Sequence, residues 1–226
     1  MLTLIHFSGA LRFCGLNRNK KLESAFWHEK WEKKEIGFHR PDVHPLLTQY
    51  WSRVVSQHDG RVFVPLCGKA LDVGYLHSMG HSVIGVELDE RAVKELFEEQ
   101  KMEPEITEWR GGQCWQARGI RIYQGDFFQL QSADLGDVDA VYDRAALVAL
   151  PPPMRALYAT RMAALTGNAP QLLVTFEYDT SQMDGPPFSV TSEEVEQRYG
   201  ERYQIEELSR EDIIEKSERF QEQGLD

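Results

Sequence analysis

Residues 61–88 read RVFVPLCGKALDVGYLHSMGHSVIGVEL. Arg61 to Pro65 is a β-branched and aromatic run that stops at Leu66-Cys67-Gly68, the pattern of a short buried strand and its turn. Asp72 to Met79 has helical spacing, with Gly80 closing it. Ser82 to Leu88 is a second strand, near whose end stands Glu87. Strand, glycine turn, helix, strand and acid form the opening unit of a doubly wound α/β sheet, which binds ligands at the carboxyl ends of its strands. Gly68 allows close backbone approach, and the helix N-terminus behind it favours negative charge. A carboxylate at Glu87 can accept from both hydroxyls of a ribose, so the unit points to a ligand containing a nucleoside.

The same rhythm extends in both directions. Phe26 to Lys34 (FWHEKWEKK) sets Trp27 and Trp31 four apart, on one helix face. His44 to Val55 is a second helical stretch. Asp89 is placed to cap a helix over Glu90 to Gln100. Trp109 to Gly119 reads as a polar excursion. Strands follow at Ile120 to Tyr123, Ala140 to Tyr142, Gln171 to Tyr178 and Tyr203 to Leu208, with helices at Pro152 to Leu165 and Ser192 to Tyr199. The expectation is a mostly parallel sheet covered on both faces, within one domain over residues 25–226. Residues 1–24 stand apart, with no acid before Glu23, and read as a poorly ordered N-terminal extension.

Bulk composition excludes several classes. The net charge of −11 argues against a nucleic-acid binder. No apolar run approaches the roughly 20 residues of a membrane span. Cys14, Cys67 and Cys114 are odd in number and widely spaced, which fits neither a zinc site nor a disulfide framework and suits the cytoplasm. His39 and His44 have no partner at ligand spacing, so no metal is expected. A monomer acting on a small molecule is the expected state.

The choice of nucleoside ligand turns on glycines. A dinucleotide site calls for GxGxxG and a phosphate cradle for GxxxxGK[ST]; the turn at Gly68 has a single glycine. S-adenosylmethionine carries no phosphate and needs fewer close approaches, so the residues favour it while leaving a dinucleotide enzyme open. Asp126 ends the third strand, where it can accept from an adenine amino group. Asp143-Arg144 ends the fourth, beside the place for a methionine tail. Read on their own, Trp27 and Trp31 equally suit core packing, Glu87 a solvated strand end, and Asp143-Arg144 a structural ion pair. Cys67, without a placed base, reads as a packing residue.

PLCGKALD, HSVIGVELDE, YDRAALVALPP, the late GPPF and the opening WHEKW…GFH resemble the thiopurine S-methyltransferase family, bacterial type, among the class I methyltransferases, from about Phe26 to Asp226. The resemblance implies that S-adenosylmethionine is the cofactor and that its methyl passes directly to the sulfur of an aromatic or heterocyclic thiol. It implies that Trp27 packs on the methionine end and that Leu66 and Gly68 contact the cofactor by backbone. Glu87 would hold the ribose, with Asp126 and Phe127 on the adenine side. Arg144 would line the junction of cofactor and acceptor and stabilise an anionic acceptor, while Phe38 and Arg219 would lie near that acceptor. No residue is assigned a covalent or general-base role. Two other readings compete: methylation of a halide, thiocyanate or a selenium or tellurium anion, and a cofactor-binding homologue without activity. The second draws on a departure from the family pattern. The sheet type ends in an antiparallel strand between strands five and six, and none is legible after Gly224-Leu225-Asp226. An unpaired edge on strand five is the expected consequence.

Overall fold

The computed structural model describes residues 2–8, 24–55 and 59–213. Its sheet has nine strands in the order β4-β5-β6-β3-β2-β7-β8-β1-β9. The central strands are β2 (Arg61–Val64), β3 (Ser82–Glu87), β6 (Ile120–Gln124), β7 (Ala140–Arg144) and β8 (Gln171–Glu177). These five pair with one another in parallel. Consecutive side chains in them enter opposite cores. Val62 and Val64 pack on one face of β2 with Phe63 on the other; Leu172, Leu173 and Val174 divide the same way in β8. Burial on both faces explains why these strands are nearly continuous apolar runs rather than alternating ones.

Helices cover the sheet at the expected places: α1 (Ser24–Glu32), α2 (Pro45–Val54), α3 (Leu71–Ser78), α4 (Glu90–Glu99), the short α5 (Ser132–Leu135), α6 (Pro152–Thr166) and α7 (Ser192–Tyr199). Asp89 caps α4 by accepting from the Arg91 N–H. Pro152 and Pro153 open α6, where a missing N–H costs nothing, and Gly167 ends it in the left-handed region.

Two expectations are corrected. The stretch from Trp109 to Gly119 is not an excursion. Glu105–Trp109 forms β4 and Gly112–Ala117 forms β5, antiparallel to each other, with β5 also antiparallel to β6. Arg110-Gly111 and Arg118-Gly119 make the two-residue turns, every one of the four residues with positive φ, as tight hairpins require. Strand five, here β8, has no open edge on its far side either. Leu2–Ser8 forms β1, which pairs in parallel with β8 from Leu2↔Gln171 to Ser8↔Glu177 and, on its other side, with β9 (Ile205–Glu211). Part of the segment expected to be poorly ordered therefore fills the slot between strands five and six. Residues 9–23 of that segment, and residues 214–226 beyond β9, lie outside the described residues.

Candidate active site

A cleft of about 1370 Å³ opens along the carboxyl ends of β2, β3, β6 and β7. The turn after β2 forms its floor. Leu66 and Gly68 both have positive φ, 46° and 52°. For a leucine that is a strained conformation, of the kind that concentrates at ligand sites. A Cβ at Gly68 would rest in ordinary contact with the Trp31 ring at 3.4 Å, so it is the left-handed φ that favours glycine here.

Glu87 faces the turn. Its Oε2 accepts from the Gly68 N–H and its Oε1 from the Asp89 N–H, both at 2.9 Å. Burial pushes its carboxyl up and these backbone donors pull it down. Each oxygen keeps a further lone pair for a ligand hydroxyl. A buried acid with one backbone donor on each oxygen, opposite a left-handed turn, fits the ribose of S-adenosylmethionine. Asp126, exposed at the cleft rim, accepts from the Phe128 N–H and so starts a 3₁₀ turn over Phe127–Gln129. Phe127 is buried, stacked on Phe63 and tilted against Tyr158; its larger share is in the core, although it touches the cleft. His28 bonds the Asp89 carboxylate at 2.7 Å, tying α1 to the start of α4.

Beside the turn, Trp27 and Trp31 both meet Phe38 edge to face, with ring centroids 5.7 and 5.6 Å apart. All three line the cleft with Phe176, Pro186 and Pro187. Arg144 also lines it, and its guanidinium makes no hydrogen bond or ion pair among the described residues. The neighbouring Asp143 is not its partner. Its fully buried carboxylate accepts from the Tyr158 hydroxyl at 2.7 Å and the Leu147 N–H at 3.2 Å, and burial pushes it up to about 6. The ion-pair reading of Asp143-Arg144 therefore fails, and the arginine faces the cleft, where its charge acts on the nearby Asp72 carboxyl and pulls it down. Arg219 lies outside the described residues.

Three residues absent from the expected site stand beside Arg144. Asp72 is buried at the start of α3, its Oδ1 accepting from the His44 N–H at 2.7 Å and its Oδ2 from the Tyr142 hydroxyl at 3.2 Å. His44, Asp72 and Tyr142 all line the cleft. Nothing local in the sequence marks them, because the bonds that join them span 28 and 70 residues. Cys67 is buried and its thiol is pushed well up by burial and then by Glu87, which leaves no thiolate for attack. Among the described residues no group of three or more His, Cys, Asp or Glu side chains is placed to hold a metal ion.

The family described as "Thiopurine S-methyltransferase (TPMT)" matches residues 22–226. A thiopurine S-methyltransferase of Teredinibacter turnerae is 52% identical over 189 residues, which cover 84% of this chain and 88% of that one. One from Pseudomonas fluorescens strain Pf0-1 is 42% identical over 204 residues, covering 90% and 94%. Among solved structures, a TehB-like S-adenosylmethionine-dependent methyltransferase of Corynebacterium glutamicum is 15% identical with a TM-score of 0.48, covering 76% of this chain and 79% of that one.

Proposed function

The chain belongs to the thiopurine S-methyltransferase family, S-adenosylmethionine-dependent enzymes, and on that premise we propose that its cleft aligns an aromatic or heterocyclic thiolate with the cofactor's methyl group. When bound, S-adenosylmethionine would supply an electrophilic methyl on a cationic sulfur, whose bond to that sulfur would break as the thiolate's bond to the methyl formed. What remains for the protein is alignment and exclusion of water. Glu87 and the Leu66–Gly68 turn hold the ribose side. Trp27 closes the methionine end, and Asp126 serves the adenine side. Phe38, with Phe176, Pro186 and Pro187, walls the acceptor end with apolar surface, which keeps the thiolate poorly hydrated and reactive. Arg144 offsets the acceptor's negative charge. The observation that carries this reading is the Arg144 guanidinium, with no hydrogen bond or ion pair among the described residues, in a cleft that Phe38, Phe176, Pro186 and Pro187 also line.

No side chain is assigned as nucleophile or general base, because a thiol on an electron-poor ring ionises unaided. A cytoplasmic monomer is the form we propose; the free thiols Cys67 and Cys114 support a reducing compartment. No helix among the described residues is long and apolar enough to cross a membrane. The test is transfer of labelled methyl to a panel of aromatic thiols, thiopurines, thiocyanate, selenite and tellurite. Turnover confined to the aromatic and heterocyclic thiols is expected. Cofactor binding with no methylated thiol from any of them would discard the reading.

A further inference from the structure

His44 is the N-cap of α2, 7% exposed, and its Nδ1 accepts from the Leu46 N–H at 3.3 Å. A ring nitrogen that accepts cannot carry the proton, so the proton sits on Nε2. The Asp72 carboxylate holds the backbone of the same residue at 2.7 Å. Ring and backbone are thus both fixed, and Nε2–H has no protein partner among the described residues. The ring lines the cleft with Arg144, Arg40, Tyr142 and Asp72. Burial and the charges of Arg144 and Arg40 together hold the imidazole neutral, pushing it down to about 3.

We propose that His44 is a hydrogen-bond donor to the acceptor molecule, its Nε2–H meeting a ring nitrogen next to the sulfur-bearing carbon. This rests on the methyl-transfer reading above and deepens it to a choice among thiols. The chemistry follows from the tautomer. A heteroaryl thiol exists either as a thione with N–H or as a thiolate whose ring nitrogen has a free lone pair. A fixed N–H donor repels the first form and binds the second. Donation to nitrogen also leaves the sulfur lone pair free to attack, which a hydrogen bond to sulfur would not. Benzenethiolate has no such nitrogen and gains nothing from His44. His44 therefore selects heterocyclic over carbocyclic thiols and lowers the ionisation pH of the bound heterocycle.

The test separates the two jobs of the residue. Asn at this position keeps an acceptor for the Leu46 N–H but loses reach; Gln places an amide N–H near the Nε2 position but gives up the cap. Pyridine-2-thiol and benzenethiol are titrated into protein loaded with S-adenosylhomocysteine, by calorimetry and by the ultraviolet change on thiolate formation. His44→Asn should weaken pyridine-2-thiolate by about 10- to 100-fold, the worth of one hydrogen bond to a charged partner. It should raise the ionisation pH of the bound pyridine-2-thiol and leave benzenethiolate within about twofold. His44→Gln should restore most of the pyridine-2-thiolate affinity while lowering the melting temperature by about 2–4 °C through the lost cap. Equal losses for both thiols, or no loss for either, would overturn the proposal. Wild-type protein that binds S-adenosylhomocysteine but neither thiol overturns the methyl-transfer reading together with this one.

Discussion

Burial pushes the Glu87 carboxyl up, and two backbone N–H groups hydrogen-bonded to its oxygens, one from the turn after β2 and one from the start of the loop after β3, pull it back down. Those donors belong to Gly68 and Asp89, the residues that open the loops on which α3 and α4 are launched. Removing the carboxylate should therefore affect ligand and turn together. Glu87→Ala is expected to weaken S-adenosylhomocysteine on the order of 10- to 100-fold in calorimetry, the scale of a lost hydrogen bond to a charged group. Unchanged affinity would remove the ribose assignment. Gly68 and Glu87 were legible in the sequence because their function lies in spacing along one strand–turn–helix–strand unit. Arg144 was legible as a candidate, but its freedom was not: only the structure shows that Asp143 turns inward to Tyr158 and Leu147. His44 and Asp72 were not legible as a pair, since what joins them is a hydrogen bond from a backbone N–H to a distant carboxylate.

At the level of elements, the buried parallel strands were readable because both of their faces are apolar. The β4–β5 hairpin was missed for the opposite reason. Four of the five residues of β4 are exposed and β5 is mostly half-buried, so no alternation signal survives. Its turns did leave a trace, the Arg-Gly pairs at 110–111 and 118–119. The placement of β1 was beyond sequence reasoning, because it fills a slot between β8 and β9 through contacts about 170 to 200 residues away rather than through a local pattern. That slot makes a prediction. Deleting residues 1–9 removes the strand through which β9 joins the sheet and bares the edge of β8. The melting temperature should fall by on the order of 5–10 °C, given about 2–4 °C per kcal/mol for a chain of this size. Amide exchange should accelerate in Ile205–Glu211 far more than in Ser82–Glu87, which lies four strands from β1 across the sheet. Equal melting temperatures and equal exchange in β9 would show that β1 contributes nothing to the sheet.

For the molecule as a whole, two buried groups near the acceptor end pull stability in opposite directions as pH changes. Asp143 is raised to about 6 in the folded chain, against about 3.9 when unfolded. The folded state then holds the extra proton, so this group's contribution is complete below about pH 3.9 and lost as pH rises through 6. His44 is lowered to about 3, against about 6.5 unfolded. Here the folded state excludes the proton, so the contribution is complete above about pH 6.5 and lost as pH falls toward 3. Between about pH 4 and 6 each slope approaches about 1.4 kcal/mol per pH unit, and the two oppose each other. The many surface acids behind the net charge of −11 add a background common to wild type and single variants. Asp143→Asn leaves the histidine slope unopposed, so its stability should climb with pH relative to wild type. His44→Asn leaves the aspartate slope, so its stability should decline with pH relative to wild type. Urea unfolding at two pH values about one unit apart in this window measures both differences. Three parallel stability curves would mean that neither group is held away from its ordinary ionisation in the folded chain. The neutral state of His44, and with it the fixed donor at the acceptor end, would then lose its electrostatic support.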